Sequence, residues 1–447
     1  LDNLFCLEET AVNTEAHYPS IDGVDPSAES AESAAGMFSW YRHLSANERR
    51  AFWSCKIGYG LDAMDTQFLS FVIPALIATW GLTKGEAGLI GTVTLLMSAL
   101  GGWLAGVLSD RFGRVRTLQI TIVWFAFFTL LCAFAQNFQQ LLVARGLMGL
   151  GFGGEWTAGA VLMGEVIRPR DRGKAVGMVQ AGWAIGWAVS AGLFTLVFSL
   201  MPAETAWRAL FALGILPAPF VIFIRRFVEE PEVHRLAKLA EQESQVKHSF
   251  LEIFSPGILF TTLRTALLAT GAQGGYYAIT TWLPTYLKTE QHLSVVGTGG
   301  YLAVVIAGSY VGYLCGAWLS DRLGRKRAFI SFALASMIVA FSYTHFTLSN
   351  TALLVLGFPL GFCASGIFSG MGAFMTELFP TRIRGSGQGF CYNFGRAVGA
   401  TFPFLIGYVA QKMTLGAAIG TFAAAAYAVV ILAALTLPET RGAKLDS

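Results

Sequence analysis

The sequence predicts an all-α membrane protein with twelve transmembrane helices in two pseudo-symmetric six-helix bundles. Three observations carry that expectation. Of 447 residues, 54% are hydrophobic and only 13% charged, well below the roughly 25% charge of a soluble domain. The stretch GVLSDRFGRVRTL from Gly106 returns as AWLSDRLGRKRAF from Ala317, so that Asp110, Arg111, Gly113 and Arg114 match Asp321, Arg322, Gly324 and Arg325. Basic residues crowd into every second loop between apolar segments, as expected when those loops share one side of a membrane.

Taken in order, residues 1 to about 36 are acidic, with Asp2, Glu8, Glu9, Glu15, Asp22, Asp25, Glu29 and Glu32 and no Lys or Arg. A disordered tail is expected there. No basic region precedes an apolar core, so the stretch does not read as a signal peptide. The aromatic and basic run around Trp40, Arg42 and Arg50 completes a cytoplasmic tail over 1–50. Six apolar spans follow within 51–224, at 53–77, 88–108, 118–135, 139–163, 173–200 and 207–224. A polar linker over 225–258 ends in an amphipathic piece at Phe250–Phe254. Six more spans lie within 259–437, at 260–283, 297–319, 328–346, 351–374, 386–410 and 415–437, before a tail at 438–447. Each is long enough to cross about 30 Å of hydrocarbon. The basic loops place both termini in the cytoplasm, and the opposite loops hold scattered charges such as Lys84, Glu86, Lys288 and Glu290.

Two further signals are duplicated. GEVIRPRDRGKAVG from Gly164 matches TELFPTRIRGSGQG from Thr376, pairing Glu165 with Glu377 and Arg172 with Arg384. Glu230-Pro231-Glu232 closes the first half and Pro438-Glu439-Thr440-Arg441 the second. The six cysteines show no disulfide or zinc spacing. A net charge of +3 spread over short loops reports topology and not nucleic-acid binding. No nucleotide loop, catalytic triad or metal cluster is present, which leaves transport and excludes an enzyme.

Ionisable residues inside a span cost about 2.5–3.5 kcal/mol each on insertion scales, so each is a functional candidate. Asp62 and Asp65, in GYGLDAMDTQF, share one face of the first helix about a turn apart. Their repulsion favours one of them holding a proton; the alternative is that both pair with basic residues and tie helices together. Arg145 and Glu155 flank a glycine run in ARGLMGLGFGGEW that lets neighbouring backbones approach. Coupling and a structural tether from Arg145 to an aspartate of the first span are both open. Asn393 and Arg396, in GFCYNFGRAVG, share a face of the eleventh span, where a guanidinium can hold a carboxylate bidentately or pair with an acidic residue of span 1 or 4. Gln67, Trp156, Gln180, Trp183, Gln273, Tyr276, Tyr277 and Tyr392 are expected to shape a cavity. Trp282 and Tyr286 read as interfacial anchors, His345 as structural, and Arg264 as a snorkelling side chain.

The duplicated loop resembles the Gly-x-x-x-Asp-Arg-x-Gly-Arg-Arg/Lys motif of the major facilitator superfamily, and the Arg-Gly-x-x-Gly-x-Gly run from Arg145 resembles its fourth-helix motif. WYRHLSANERRAF, GYGLDAMD, WRALFALGILP and WLPTYLKT are similar to bacterial sialic acid and monocarboxylate proton symporters. The Asp-x-x-Asp of span 1 and GRAVGA of span 11 resemble the aromatic acid proton symporters. The resemblance implies a monomer in the bacterial inner membrane that needs no cofactor beyond the coupling proton. It implies import of an organic acid anion by proton symport and alternating access, the acid being an aromatic acid, muconate or a monocarboxylate.

Proton coupling is then expected at Asp62, Asp65, Arg145 and Glu155, and substrate contact at Arg396, Asn393, Gln67, Trp183, Gln273, Tyr276, Tyr277 and Tyr392. Cytoplasmic gating is expected at Asp110, Arg111, Arg114, Asp321, Arg322, Arg325, Glu165, Glu377, Arg172 and Arg384. A linker too short for an added helix pair and the arginine of span 11 depart from the sialic acid carrier and favour a smaller carboxylate, whereas Ala63 and Met64 depart from the aromatic acid symporters, which usually carry Gly then Phe or Tyr between the aspartates. A sialic acid symporter and a neutral-sugar porter or exporter of the same fold are the alternatives.

Overall fold

In hydrocarbon, backbone N–H and C=O groups must be satisfied within the segment, so long apolar runs fold as helices. The computed structural model describes residues 39–42, 44–166, 172–220, 250–380 and 383–440. It divides into two compact units, Leu1–Ser45 and Ala46–Ser447. The described helix of the first unit is the turn Ser39–Arg42, and the expected acidic tail lies outside the described residues.

The second unit holds the apolar spans. Its first half contains α1 (Ala46–Trp80), α2 (Lys84–Phe112), α3 (Arg114–Cys132), α4 (Phe138–Val166), α5 (Arg172–Gln180), α6 (Gly182–Leu200) and α7 (Ala203–Ala212). Its second half contains α8 (Leu259–Thr289), α9 (Val295–Leu323), α10 (Arg325–His345), α11 (Asn350–Leu378), α12 (Arg384–Gly399), α13 (Phe402–Val409) and α14 (Leu415–Thr436). Eight described helical stretches are long and apolar enough to cross a membrane. Predicted span 5 is divided into α5 and α6 at Ala181, and predicted span 11 into α12 and α13 at Ala400–Thr401. Both are the fifth span of their half, but with Arg172 matched to Arg384 the Ala181 break falls opposite Asn393, about two turns before the break in span 11, so the two interruptions are not at equivalent positions. Most of the predicted linker lies outside the described residues; its end, Phe250–Phe254, is a 3-10 turn whose Ile253 carbonyl accepts from Thr262 Oγ1 at 2.8 Å.

Helix pairing repeats between the halves. The most extensive contacts are α2 with α4 and, equivalently, α9 with α11. Both depend on glycine. Gly153 of α4 sits against the Ser98 carbonyl and Gly361 of α11 against that of Val305, so closely that a Cβ would overlap the partner backbone. The glycines of the duplicated loop also agree: Gly113 has φ +99° and Gly324 φ +95°, a region that L side chains rarely adopt.

Polarity is arranged for lipid. Large apolar side chains such as Trp103, Phe127, Val143 and Leu432 are exposed, whereas Asp62, Asp65, Arg145 and Arg396 are buried. The two halves meet at the end opposite the duplicated loops, chiefly through α2 against α13 and α6 against α9. There Lys84 Nζ donates to the Ala410 carbonyl at 3.3 Å, and Phe404 N donates to Thr92 Oγ1 at 3.2 Å. Gly88 abuts the Pro403 carbonyl and Gly407 the Lys84 carbonyl, leaving no room for a side chain at either. This contact corrects one expectation. Trp282 and Tyr286 are not interfacial anchors: Trp282 is fully buried and donates Nε1–H to the Pro403 carbonyl at 3.0 Å, and Tyr286 donates to the Tyr343 carbonyl at 3.2 Å. The helix that carries them packs on α1, α12 and α14, so its end faces protein rather than headgroups.

Candidate substrate site between the two halves

A narrow cavity lies between the halves, lined from α1 by Thr66, Gln67, Leu69 and Ser70, from α8 by Tyr276, Tyr277, Thr280 and Thr281, from α6 by Trp183 and from α4 by Arg145. Its position follows from the duplication, because α1 and α8 are the first helices of their halves and touch each other. Trp183 stands two residues beyond the break that starts α6.

Beside this cavity lies Arg396, three residues before the end of α12. The side chain is only 2% exposed, and its Nε and Nη1 have no hydrogen-bond partner. Its guanidinium carbon lies 5.1 Å from the Tyr392 ring centre and 5.3 Å from that of Phe152, which comes from α4 of the other half. The hydroxyls of Tyr59, Tyr277 and Tyr392 also face it. Tyr277 belongs to the cavity wall as well, and Phe152 packs 6.0 Å from the Trp183 ring. Among the described residues no carboxylate forms an ion pair with Arg396. Gln273 fixes the enclosure, accepting from Tyr277 Oη at 3.1 Å and donating Nε2–H to the Tyr392 carbonyl at 2.8 Å.

Arg145 is buried as completely but is held differently. Its Nη1 and Nη2 donate to the carbonyls of Asp65 and Thr66 at 3.5 and 3.4 Å, and its guanidinium carbon lies 5.3 Å from the Phe211 ring. The tether to span 1 therefore exists, but runs to the backbone instead of the carboxylate. The Asp65 carboxylate sits against Gly214 and Thr129, with Arg145 nearby, and neither oxygen has a hydrogen-bond partner. It faces α3 and the turn after α7, not the cavity. Asp62 is likewise fully buried.

Of the expected contact residues, Gln67, Trp183, Tyr276 and Tyr277 line the cavity, and Arg396, Gln273 and Tyr392 stand beside it around Tyr277. Asn393 does not line the cavity; its Nδ2 donates to the Gly389 carbonyl of its own helix at 3.0 Å, and its Oδ1 is buried without a hydrogen-bond partner. The reach of a short amide back to the preceding turn explains the difference. Glu155 lies on α4, and its side chain falls outside the described residues, as do those of Asp110, Arg111, Arg114, Asp321, Glu165 and Arg172.

At the loop end of the second half, Arg325 pairs bidentately with Glu377, Nη2 to Oε1 at 3.0 Å and Nε to Oε2 at 3.2 Å. Thr440 donates to the same carboxylate. Glu439 accepts from the backbone N–H groups of Arg325 and Lys326 at 2.8 and 3.2 Å, which caps α10. The three duplicated signals thus converge in one network. Arg322 instead lies exposed over the Trp318 ring at 5.2 Å, and Arg384 Nε donates to the Thr376 carbonyl at 3.0 Å.

Sequence reasoning missed Tyr59 and Phe152. Phe152 had a legible signal: it is the one bulky aromatic inside a glycine run, and so cannot serve the close helix packing that the glycines allow.

Two duplicated helical bundles enclosing a buried cavity define a multi-pass membrane transporter. Comparison with known proteins gives the family. The profile of the Major Facilitator Superfamily matches residues 57–317 and 301–447. The chain belongs to that superfamily. It is 44% identical over 414 residues to the "Probable 4-methylmuconolactone transporter" of Cupriavidus pinatubonensis, covering 92% of this chain and 95% of that one. It is 31% identical to the cis,cis-muconate transport protein of Acinetobacter baylyi, over 85% of this chain and 92% of that one. Among solved structures, the proton:xylose symporter XylE superposes with a TM-score of 0.70 at 19% identity, covering 89% of this chain and 98% of that one. At that identity the likeness shows the fold alone.

Proposed function

We propose that this protein imports an organic acid anion with a proton by alternating access, and that Arg396 holds the carboxylate. The single observation that carries the reading is the Arg396 guanidinium, buried with two nitrogens lacking acceptors among the described residues. Leaving a buried charge unpaired is costly. A carboxylate ligand satisfies it with charge-assisted bonds in the fork geometry that arginine presents. Relatives named for muconate and methylmuconolactone transport favour an organic acid over sialate or a neutral sugar.

Coupling follows from charge. An anion entering alone opposes the membrane potential by about 2.3 kcal/mol per charge per 100 mV. A proton on Asp65 or Asp62 offsets it. Asp65 is suited to the task because its carboxylate is buried without a hydrogen-bond partner and with Arg145 nearby but bonded to the backbone, so the oxygens are free to take a proton. Arg145 bonds the backbone of Asp65 and Thr66 and also lines the cavity, which connects the proton site to the substrate site. With the basic loops in the cytoplasm, the sealed α2–α13 contact is the outer gate, and the Arg325–Glu377–Glu439 network steadies the inner end of the second bundle. The carrier works as a monomer in the bacterial inner membrane, with both termini cytoplasmic.

The test is uptake of labelled muconate, benzoate, lactate and sialate into proteoliposomes under a pH gradient alone. Accumulation of one organic acid that a protonophore collapses supports symport. Transport of a neutral sugar and of no acid overturns the reading. Asp62→Asn combined with Asp65→Asn abolishes accumulation; if accumulation persists, the carboxylate pair is not the proton site.

A further inference from the structure

The cavity wall carries buried hydrogen-bond donors that make no well-formed hydrogen bond. Gln67 Nε2, Trp183 Nε1 and the Tyr276 hydroxyl are buried polar atoms without a hydrogen-bond partner, and all three residues line the cavity. The side chains are 4%, 6% and 4% exposed. They come from α1, α6 and α8, so they converge from both halves. Tyr276 stands close to both Trp183 and the Tyr313 hydroxyl without a hydrogen bond of good geometry to either, and one acceptor atom of a ligand can take the Trp183 and Tyr276 protons together. Buried donors left unpaired cost about 1–3 kcal/mol each, so such a cluster persists where a ligand completes it.

All three donors are neutral. The cation that lines this wall, Arg145, already donates to two carbonyls and has Asp65 beside it. A second carboxylate in this region would therefore find no free counter-charge among the described residues, and would lose its hydration to neutral donors only. An uncharged acceptor such as a ketone, ester or lactone carbonyl gives up far less.

Resting on the reading of Arg396 as the carboxylate anchor, we infer that the site selects a monocarboxylate carrying a second, uncharged hydrogen-bond acceptor, which Gln67, Trp183 and Tyr276 recognise, and that it discriminates against dicarboxylates of the same shape.

The test measures binding of three para-substituted acids of matched size to the purified full-length protein by calorimetry: 4-acetylbenzoate, 4-ethylbenzoate and terephthalate. The inference expects 4-acetylbenzoate to bind roughly tenfold tighter than 4-ethylbenzoate, and terephthalate weakest. Gln67→Leu and, separately, Tyr276→Phe then narrow the acetyl-to-ethyl ratio to within about twofold. Two variants on different helices guard against a folding defect in either, and a thermal melt of each confirms that it is folded. Terephthalate binding as tightly as 4-acetylbenzoate overturns the inference and leaves the anion reading intact. An acetyl-to-ethyl ratio unchanged in both variants also overturns it. Failure of all three acids to bind overturns the anion reading and this inference together.

Discussion

Arg145 and Arg396 are both buried in the membrane-spanning bundles, and they are buried in opposite ways. Arg145 of the first half donates to two backbone carbonyls of α1 and has the Asp65 carboxylate close by. Arg396 of the second half leaves Nε and Nη1 without acceptors inside a ring of aromatic side chains. A guanidinium engaged by its own fold is a structural and coupling element. One that the fold surrounds with π faces, and denies a carboxylate, is arranged for an anion that comes and goes. The aromatic rings contribute cation–π attraction that makes the empty site tolerable without filling the fork.

This contrast orders the expected effects. Arg396→Gln is the most damaging to function: removing a buried charged partner of a ligand costs about 2–5 kcal/mol, so substrate affinity falls on the order of 30- to 5000-fold in equilibrium binding. Its thermal midpoint stays level or rises, because the substitution relieves an uncompensated charge. Asp65→Asn comes next. It removes accumulation driven by a pH gradient while leaving exchange of internal for external substrate, a split read by comparing uphill uptake with counterflow. In the wild type, uphill uptake rises as external pH falls at fixed internal pH, and in Asp65→Asn it does not.

Arg145→Gln reverses the pattern of Arg396→Gln. It lowers thermal stability in detergent by about 2 kcal/mol, the scale of hydrogen bonds from a charged donor. If Arg145→Gln proves stable and Arg396→Gln unfolds, the two arginines have been assigned the wrong way round. The smallest effect is expected for Glu439→Gln, which weakens the α10 cap by about 1 kcal/mol and shifts the melting temperature without changing substrate preference.

The helical architecture was legible because lipid imposes two simple demands, length and apolarity, and because the duplication marks corresponding positions. The buried charges were legible for the related reason that a span tolerates them only at a cost. Their partners were not. Periodicity places Asp62 and Asp65 on one face, but it cannot say that Asp65 meets Thr129 and Gly214, residues 64 and 149 positions further along the chain. Trp282 and Tyr286 misled because the same aromatic side chains serve headgroup belts and buried contacts, and only the neighbours decide. The divided span 11 carried a signal in Pro403, which starts α13, whereas the break at Ala181 has no proline near it and depends on packing. Asn393 shows the remaining limit: its place on the helix was right, but a local bond to Gly389 engages its amide.

The central claim is that Arg396 recognises the charge of an organic acid. The most direct measurement compares an acid with its own methyl ester, 4-acetylbenzoate against methyl 4-acetylbenzoate, for binding to the wild type and to Arg396→Gln. The account predicts a preference for the acid of at least about thirtyfold in the wild type, on the scale of a buried charged pair, and little preference in Arg396→Gln. An acid preference that survives the substitution undiminished would contradict it, and would place the anion site at another cation.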